Sequence, residues 1–187
     1  TIICILPALQ AQDLTDGLVA YYPFNGNVND GSENSNDGNP ENIVYVPSEV
    51  GNGGTAAFLG SQPGQLAGAL VPSDESLRLP ATGHTISGWV KSPDFSVATP
   101  SNSYFTLVAS QGMPHDGAAR HQAWSLLYGG HGISMQATGG DNAQGGYVHI
   151  KFSTTNPATT FLENDKWHHM VVTYDGSKFS GYINGSP

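Results

Sequence analysis

The chain has 187 residues, of which 38% are apolar and only 11% are charged. This length fits one domain of ordinary size, and the apolar share is enough for a core, which excludes a charged disordered tail. The formal net charge is −9, from 6 Lys and Arg against 15 Asp and Glu. Nucleic-acid binding needs clustered Lys and Arg, and no cluster occurs, so we exclude nucleic acid as a partner. Anionic membrane surfaces are disfavoured for the same reason, whereas hard cations and neutral sugars are compatible with an acidic surface.

The chain opens on an apolar run. Residues 2–9 read Ile-Ile-Cys-Ile-Leu-Pro-Ala-Leu and include Cys4, the single cysteine. This run resembles the back half of a secretory signal peptide, with Ala11 as the cleavage residue. We therefore predict residues 1–11 as a signal-peptide remnant, residues 12–187 as the domain, and a secreted, extracellular or cell-surface location. A buried first strand is the alternative. No membrane insertion is expected, because no apolar stretch reaches the roughly 18 residues of a spanning helix.

Short β-rich runs recur along the rest of the chain, each closed by turn residues, and almost no window shows helical spacing. The predicted strands are Leu18–Phe24, Ile43–Val46, Thr55–Leu59, Leu66–Val71, Thr85–Lys91, Tyr104–Ser110, Ala123–Tyr128, Gly132–Ala137, Tyr147–Phe152, Trp167–Tyr174 and Phe179–Ile183. Residues 129–131 and 175–178 have the composition of hairpin turns. So many short strands predict an all-β fold built as a two-sheet sandwich, because one sheet of that size would leave a face bare.

Alternation places side chains within the later strands. Ile86, Gly88 and Val90 share one face of their strand, and Trp89 points to the other face. The neighbouring residues His168 and His169 also point to opposite faces, so they cannot bind one metal ion together. We expect one of these histidines inside and the other outside.

Three segments appear in a characteristic order. They are GLVAYYPFNGNVND at residues 17–30, TISGWVK at residues 85–91, and DKWHHMVVTYDG at residues 165–176, followed by YING at residues 182–185. Together they resemble the laminin-G-like, concanavalin A-like jelly-roll domain of bacterial exported proteins. The resemblance implies a sandwich of two curved antiparallel sheets with closing strands beyond Pro187. The expected fold is therefore an antiparallel jelly roll that is C-terminally incomplete. The same fold hosts carbohydrate-binding modules, adhesion domains and some glycosidases, so fold alone does not assign function.

The polar loop of residues 25–38 is the candidate calcium site. It supplies carboxylate, amide and backbone oxygens, which Ca²⁺ prefers. The candidate ligands are Asp30, which resembles a ligand position of the family, together with Asn27, Asn36 and Asp37. The family usually has His where this chain has Asp37, and it also draws ligands from its final strands. The alternative is a turn-rich loop in which Asn and Asp side chains bond their own backbone.

Catalysis is not expected. A retaining glycosidase needs two carboxylates about 5 Å apart, and glycosidases of this fold carry them on a Glu-x-Asp-x-x-Glu strand that is missing here. Glu163 and Asp165 have suitable spacing but precede their strand, and residues 74–75 are typical of a turn. We predict no catalytic residues.

Sugar binding depends on exposed aromatic rings. Trp89 and Trp167 lie at core positions of the family, so we expect them to be buried, and the better surface candidates are Tyr104, Tyr128 and Tyr147. The leading hypothesis is a non-catalytic exported module that binds a glycan or a cell-surface protein, with calcium ordering the loop and with other domains in the same parent chain. A structural or adhesion spacer is the alternative, and a glycoside hydrolase is the least favoured.

Overall fold

The computed structural model describes residues 15–50, 54–58, 67–77, 79–80, 82–93, 95, 104–109, 123–129, 132–138, 147–152 and 162–186, with backbone alone for the strands between 104 and 152. The strands are β1 (Asn39–Glu41), β2 (Val44–Pro47), β3 (Thr55–Phe58), β4 (Gly68–Leu70), β5 (His84–Val90), β6 (Tyr104–Ala109), β7 (Ala123–Gly129), β8 (Gly132–Thr138), β9 (Tyr147–Phe152), β10 (His168–Tyr174) and β11 (Phe179–Ile183). A short 3-10 turn at Glu75–Leu77 is the one helical element of the described residues. The predicted signal-peptide remnant, residues 1–11, lies outside them.

The chain forms two compact units, Thr1–Leu77 and Arg78–Pro187. In the first unit β1 pairs with β4 and β2 pairs with β3. In the second unit one sheet has the order β11-β10-β5 and the other has the order β6-β7-β8-β9. Every one of these pairings is antiparallel. The prediction of an all-β antiparallel fold is therefore confirmed.

The predicted first strand is wrong. Leu18–Phe24 belongs to no sheet in the described structure, and β1, which was not predicted, lies in the polar segment that follows. The reason is that loop side chains bond the backbone that a neighbouring strand would otherwise pair. The Asp30 carboxylate accepts the Tyr21 N–H at 2.8 Å, and the Asn34 amide donates to the Val19 carbonyl at 3.0 Å. The other predicted strands match observed ones, with ends that differ by a few residues.

A hairpin turn joins β10 to β11, and a second tight turn follows β11. Between β10 and β11, the Asp175 carboxylate accepts the N–H groups of Ser177 and Lys178 at 2.8 and 2.7 Å. After β11, Ile183 and Ser186 exchange two backbone hydrogen bonds of 2.8 and 2.9 Å. The two residues between them have φ values of 51° at Asn184 and 80° at Gly185. Positive φ at both central positions defines the tight turn that suits the twist of a β-hairpin.

Among the described residues of the second unit, the buried core lies on one face of the three-stranded sheet. Met170 and Val172 of β10 are completely buried, and Leu162 and Phe95 are buried in the same cluster. Partly buried apolar side chains of the adjacent strands pack against them, namely Ile86 and Val90 of β5 and Phe179 and Ile183 of β11, as does Leu79. The alternation predicted for Ile86, Gly88 and Val90 is thus confirmed.

The opposite side of this sheet is called the outer face below. Its members follow from the strand register and from alternation: Thr85, Ser87, Trp89, His169, Val171, Thr173, Ser180 and Tyr182. The three β5 residues among them are exposed, and the other five are half-buried. The sheet therefore has one apolar face and one face that combines aromatic rings with hydroxyl groups.

Candidate functional site

Asp30 is the centre of the loop that the sequence marks as a calcium site. Its Oδ1 accepts the N–H groups of Tyr21 and Ser32, both at 2.8 Å. Its Oδ2 accepts the Ser32 hydroxyl at 2.7 Å and the Asn36 N–H at 2.9 Å. A carboxylate offers about four acceptor positions, so protein donors occupy the carboxylate of Asp30 in this conformation.

Asn36 is buried, with 6% of its surface exposed. Its amide nitrogen donates to the Val19 carbonyl at 3.2 Å and to the Ser76 hydroxyl at 3.0 Å. Its backbone carbonyl oxygen accepts the Tyr22 hydroxyl at 2.7 Å. A buried amide with these partners fixes the position of the loop, because a buried polar group left unpaired costs about 1–3 kcal/mol.

Asn27 and Asp37 each make one short backbone contact. The Asn27 side-chain oxygen accepts the Asn29 N–H at 3.0 Å, which is the Asx-turn pattern expected of a turn-rich loop. The Asp37 carboxylate accepts the Asp30 N–H at 2.8 Å. Asp30, Asn36 and Asp37 are thus brought together by direct hydrogen bonds. No group of three His, Cys, Asp or Glu suited to a metal ion occurs within the part of the chain that the structure describes. The calcium hypothesis stays a prediction.

The hydrogen bonds change the ionisation of this loop. Burial alone would raise the pKa of Asp30, but the bonds from Tyr21, Ser32 and Asn36 outweigh it and lower that pKa. Burial, together with the negative charges of Asp30 and Asp37, raises the pKa of Tyr22 to about 12. Asp30 is therefore a stable anion at neutral pH, and Tyr22 keeps the proton that it donates to Asn36.

Trp89 is the most exposed aromatic residue of the outer face. Its side chain is 52% exposed, so the expectation that it belongs to the core is wrong. Its indole ring stacks on the imidazole of His169, the residue directly opposite on β10, with ring centroids 4.8 Å apart and planes 23° apart. Because Gly88 and Val90 face the core in this structure, alternation places Trp89, the residue between them, on the opposite face. Trp167, also expected in the core, is half-buried one residue before β10.

The two histidines divide as predicted. His168 is 3% exposed and lies edge-on to the Phe95 ring, with centroids 5.6 Å apart, while His169 stacks on Trp89. Asn184, in the turn after β11, contacts both histidines. Its side-chain oxygen accepts the His169 N–H at 2.9 Å, and its amide nitrogen lies 3.2 Å from His168 Nδ1. The other ring nitrogen of His168 lies 3.0 Å from the Glu163 carbonyl. These contacts hold His169, and therefore the stacked indole, in place.

The remaining residues considered for catalysis lie in loops and turns. Those considered for sugar binding have side chains outside the described residues. Glu163 and Asp165 are exposed in the loop before β10, where the Asp165 N–H donates to the Ser92 carbonyl at 2.8 Å. Asp74 caps the 3-10 turn by accepting the Ser76 N–H at 2.8 Å. The side chains of Tyr104, Tyr128 and Tyr147 lie outside the described residues.

The antiparallel sheets described above are those of an all-β fold, and the comparison with known families gives its class. Residues 63–187, more than half of the chain, match the family model Laminin_G_3, described as the concanavalin A-like lectin/glucanases superfamily. The chain belongs to that superfamily, and the predicted resemblance and concanavalin A-like fold are confirmed. No curated protein and no solved structure matches the chain significantly.

Membership in the superfamily supports a carbohydrate-binding or structural module as the coarse function, because the superfamily joins lectins and glucanases. Laminin G-like domains are typically extracellular. Among the described residues, no helix has the length and apolar character needed to cross a membrane.

Proposed function

We propose that the chain is a non-catalytic carbohydrate-binding module, exported from the cell, that holds its glycan on the outer face of the β5-β10-β11 sheet. The observation that carries the proposal is the exposed indole of Trp89, stacked on His169. Superfamily membership supports the same class of ligand. The apolar run at residues 2–9, typical of a signal peptide, supports export.

The geometry of the stack supports binding through a ring face. His169 covers one side of the indole, and about half of the Trp89 side chain nevertheless stays in contact with solvent. Trp89 lies on β5, whose one described neighbour is β10, so the ring side opposite His169 faces away from β10. An aromatic ring held in one orientation binds at low entropic cost, because little side-chain freedom remains to be lost.

The surroundings of Trp89 supply polar groups of the right kind. The next outward position on β5 is Ser87, followed by Thr85, and both are exposed. Hydroxyl groups donate and accept hydrogen bonds, as sugar hydroxyls do. A few polar groups beside an aromatic surface are the usual arrangement of a small-molecule site.

Affinity electrophoresis and a glycan array test the proposal on the full chain, with neutral polysaccharides as probes. Trp89→Ala is expected to weaken binding about tenfold to a hundredfold, the usual effect of removing a central aromatic contact. Phe58→Ala is the matched control, because Phe58 is 51% exposed on β3 and lies in the other unit.

Three outcomes would contradict the proposal. Retention of no neutral glycan would favour the structural spacer, and equal effects of the Trp89 and Phe58 substitutions would remove the assigned site. Release of reducing sugar from a retained polysaccharide would show catalysis. Far-ultraviolet circular dichroism of both variants shows whether they keep the fold.

A further inference from the structure

The outer face carries a second aromatic ring in addition to Trp89. Tyr182 of β11 pairs with Val171 of β10, which pairs in turn with Ser87 of β5. Met170, Val172, Phe179 and Ile183 occupy the core side of the same two strands. Alternation therefore places Tyr182 outward, where it is half-buried.

The register fixes the separation of the two rings. Trp89 lies in the row of His169, and Tyr182 lies in the next outward row, two strands across the sheet. With strands about 4.8 Å apart and a rise of about 3.3 Å per residue, the two positions are about 12 Å apart along a diagonal. Both lie on one three-stranded sheet whose strands are joined by continuous pairing, so the separation is set by the backbone and not by loops.

The charges of the outer face and of the whole chain indicate whether the ligand is charged or neutral. The eight positions of the outer face hold aromatic, hydroxyl and aliphatic side chains and one imidazole, and none of them is a carboxylate, lysine or arginine. The whole chain has a net charge of −9. A negative protein repels anionic polymers at a distance, and the eight positions of this face include no lysine or arginine to offset the repulsion.

Resting on the proposed function, we propose that the outer face binds an uncharged oligosaccharide chain in an extended form, with one sugar unit on Trp89 and a later unit of the same chain on Tyr182. Two contacts on one chain make the second binding step intramolecular, so affinity grows with chain length once the ligand reaches both rings. Ser87 lies in the row of Tyr182 and on the strand of Trp89, where its hydroxyl can contact the sugar units between them.

Isothermal titration of the full chain tests this length dependence. The probes are cello-, xylo- and manno-oligosaccharides from the monosaccharide to the hexamer. In the wild-type chain, affinity for the series that binds is expected to rise about tenfold or more between the shortest and the longest ligands and then level off. Tyr182→Ala is expected to remove this gain and to leave affinity for the shortest ligands within about twofold of wild type. Tyr182→Phe keeps the ring and is expected to retain the gain.

The results separate the two proposals. Loss of all binding in Trp89→Ala, with no effect of Tyr182→Ala at any length, would overturn the two-contact inference and leave the glycan-binding function standing. Absence of binding for every series in the wild-type chain would overturn both. Tighter binding of oligogalacturonate or sulfated oligomers than of neutral ones would overturn the assignment of an uncharged ligand.

Discussion

At the scale of single residues, Asp30 shows how one carboxylate can replace a strand pairing. It accepts four hydrogen bonds from three residues, and two of its partners are backbone N–H groups on either side of the loop, at Tyr21 and Asn36. The sequence predicts Asp30 as a calcium ligand, and that role stays a prediction. The structure adds that its described partners are protein donors.

Asp30→Asn is expected to destabilise the chain. The substituted amide presents N–H groups to donors that need an acceptor, and an unsatisfied pair of this kind costs about 1–3 kcal/mol. Glu33→Gln is the matched control, because Glu33 is exposed in the same loop. Urea unfolding in a chelator measures both variants. Equal stabilities of the two variants would contradict the structural role.

The role of Asp30 can also be tested through the pH dependence of stability and through the effect of added calcium. The pKa of Asp30 is lowered in the folded state, so its contribution to stability is complete above the ordinary value of 3.8 and is lost as pH falls through the lower folded value. Wild type should therefore lose stability in this acidic range more steeply than Asp30→Asn. If Asp30 instead binds calcium, added calcium should raise the thermal midpoint of wild type and leave that of Asp30→Asn unchanged.

At the scale of secondary-structure elements, the hairpins are the best-predicted features. Residues 175–178 form the predicted turn, and Gly129 pairs with Gly132 across the other predicted one. Turn chemistry is local, which explains why it can be read from sequence. The segment Leu18–Phe24 looks like a strand by composition, yet side chains of residues 30–36 bond several of its backbone groups. Strand propensity describes a surface that suits a sheet, and it does not identify the neighbour.

The turn at Asn184-Gly185 gives a prediction for a matched pair of glycines. Gly185→Ala should destabilise the chain by about 1–2 kcal/mol, because φ is positive there and a side chain is strained in that region even without a steric neighbour. Gly88→Ala in β5 should be neutral or stabilising by up to about 1 kcal/mol, because a Cβ there meets open space and φ is not positive. Thermal unfolding measures the difference. A larger loss at Gly88 than at Gly185 would show that packing and not φ governs these positions.

At the scale of the whole molecule, charge is the dominant property. Fifteen acidic residues against six basic ones repel one another in the compact state. We expect the midpoint of thermal unfolding to rise between low salt and about 0.15 M salt, where the screening length is about 8 Å. The same series at a mildly acidic pH, where the net charge approaches zero, should show little dependence. A midpoint that falls with salt at neutral pH would instead indicate that attractive ion pairs dominate.

The sequence by itself determines that the chain is all-β, antiparallel and acidic, and that His168 and His169 face opposite ways, because turn chemistry, net charge and the two-residue period of a strand are local properties. Only the tertiary structure decides that Trp89 is exposed beside His169 and that Tyr182 shares its face. An alternating pattern separates two faces without saying which one is buried. That choice depends on the apolar side chains that pack against β10, of which Ile86 and Val90 of β5 lie far away in sequence.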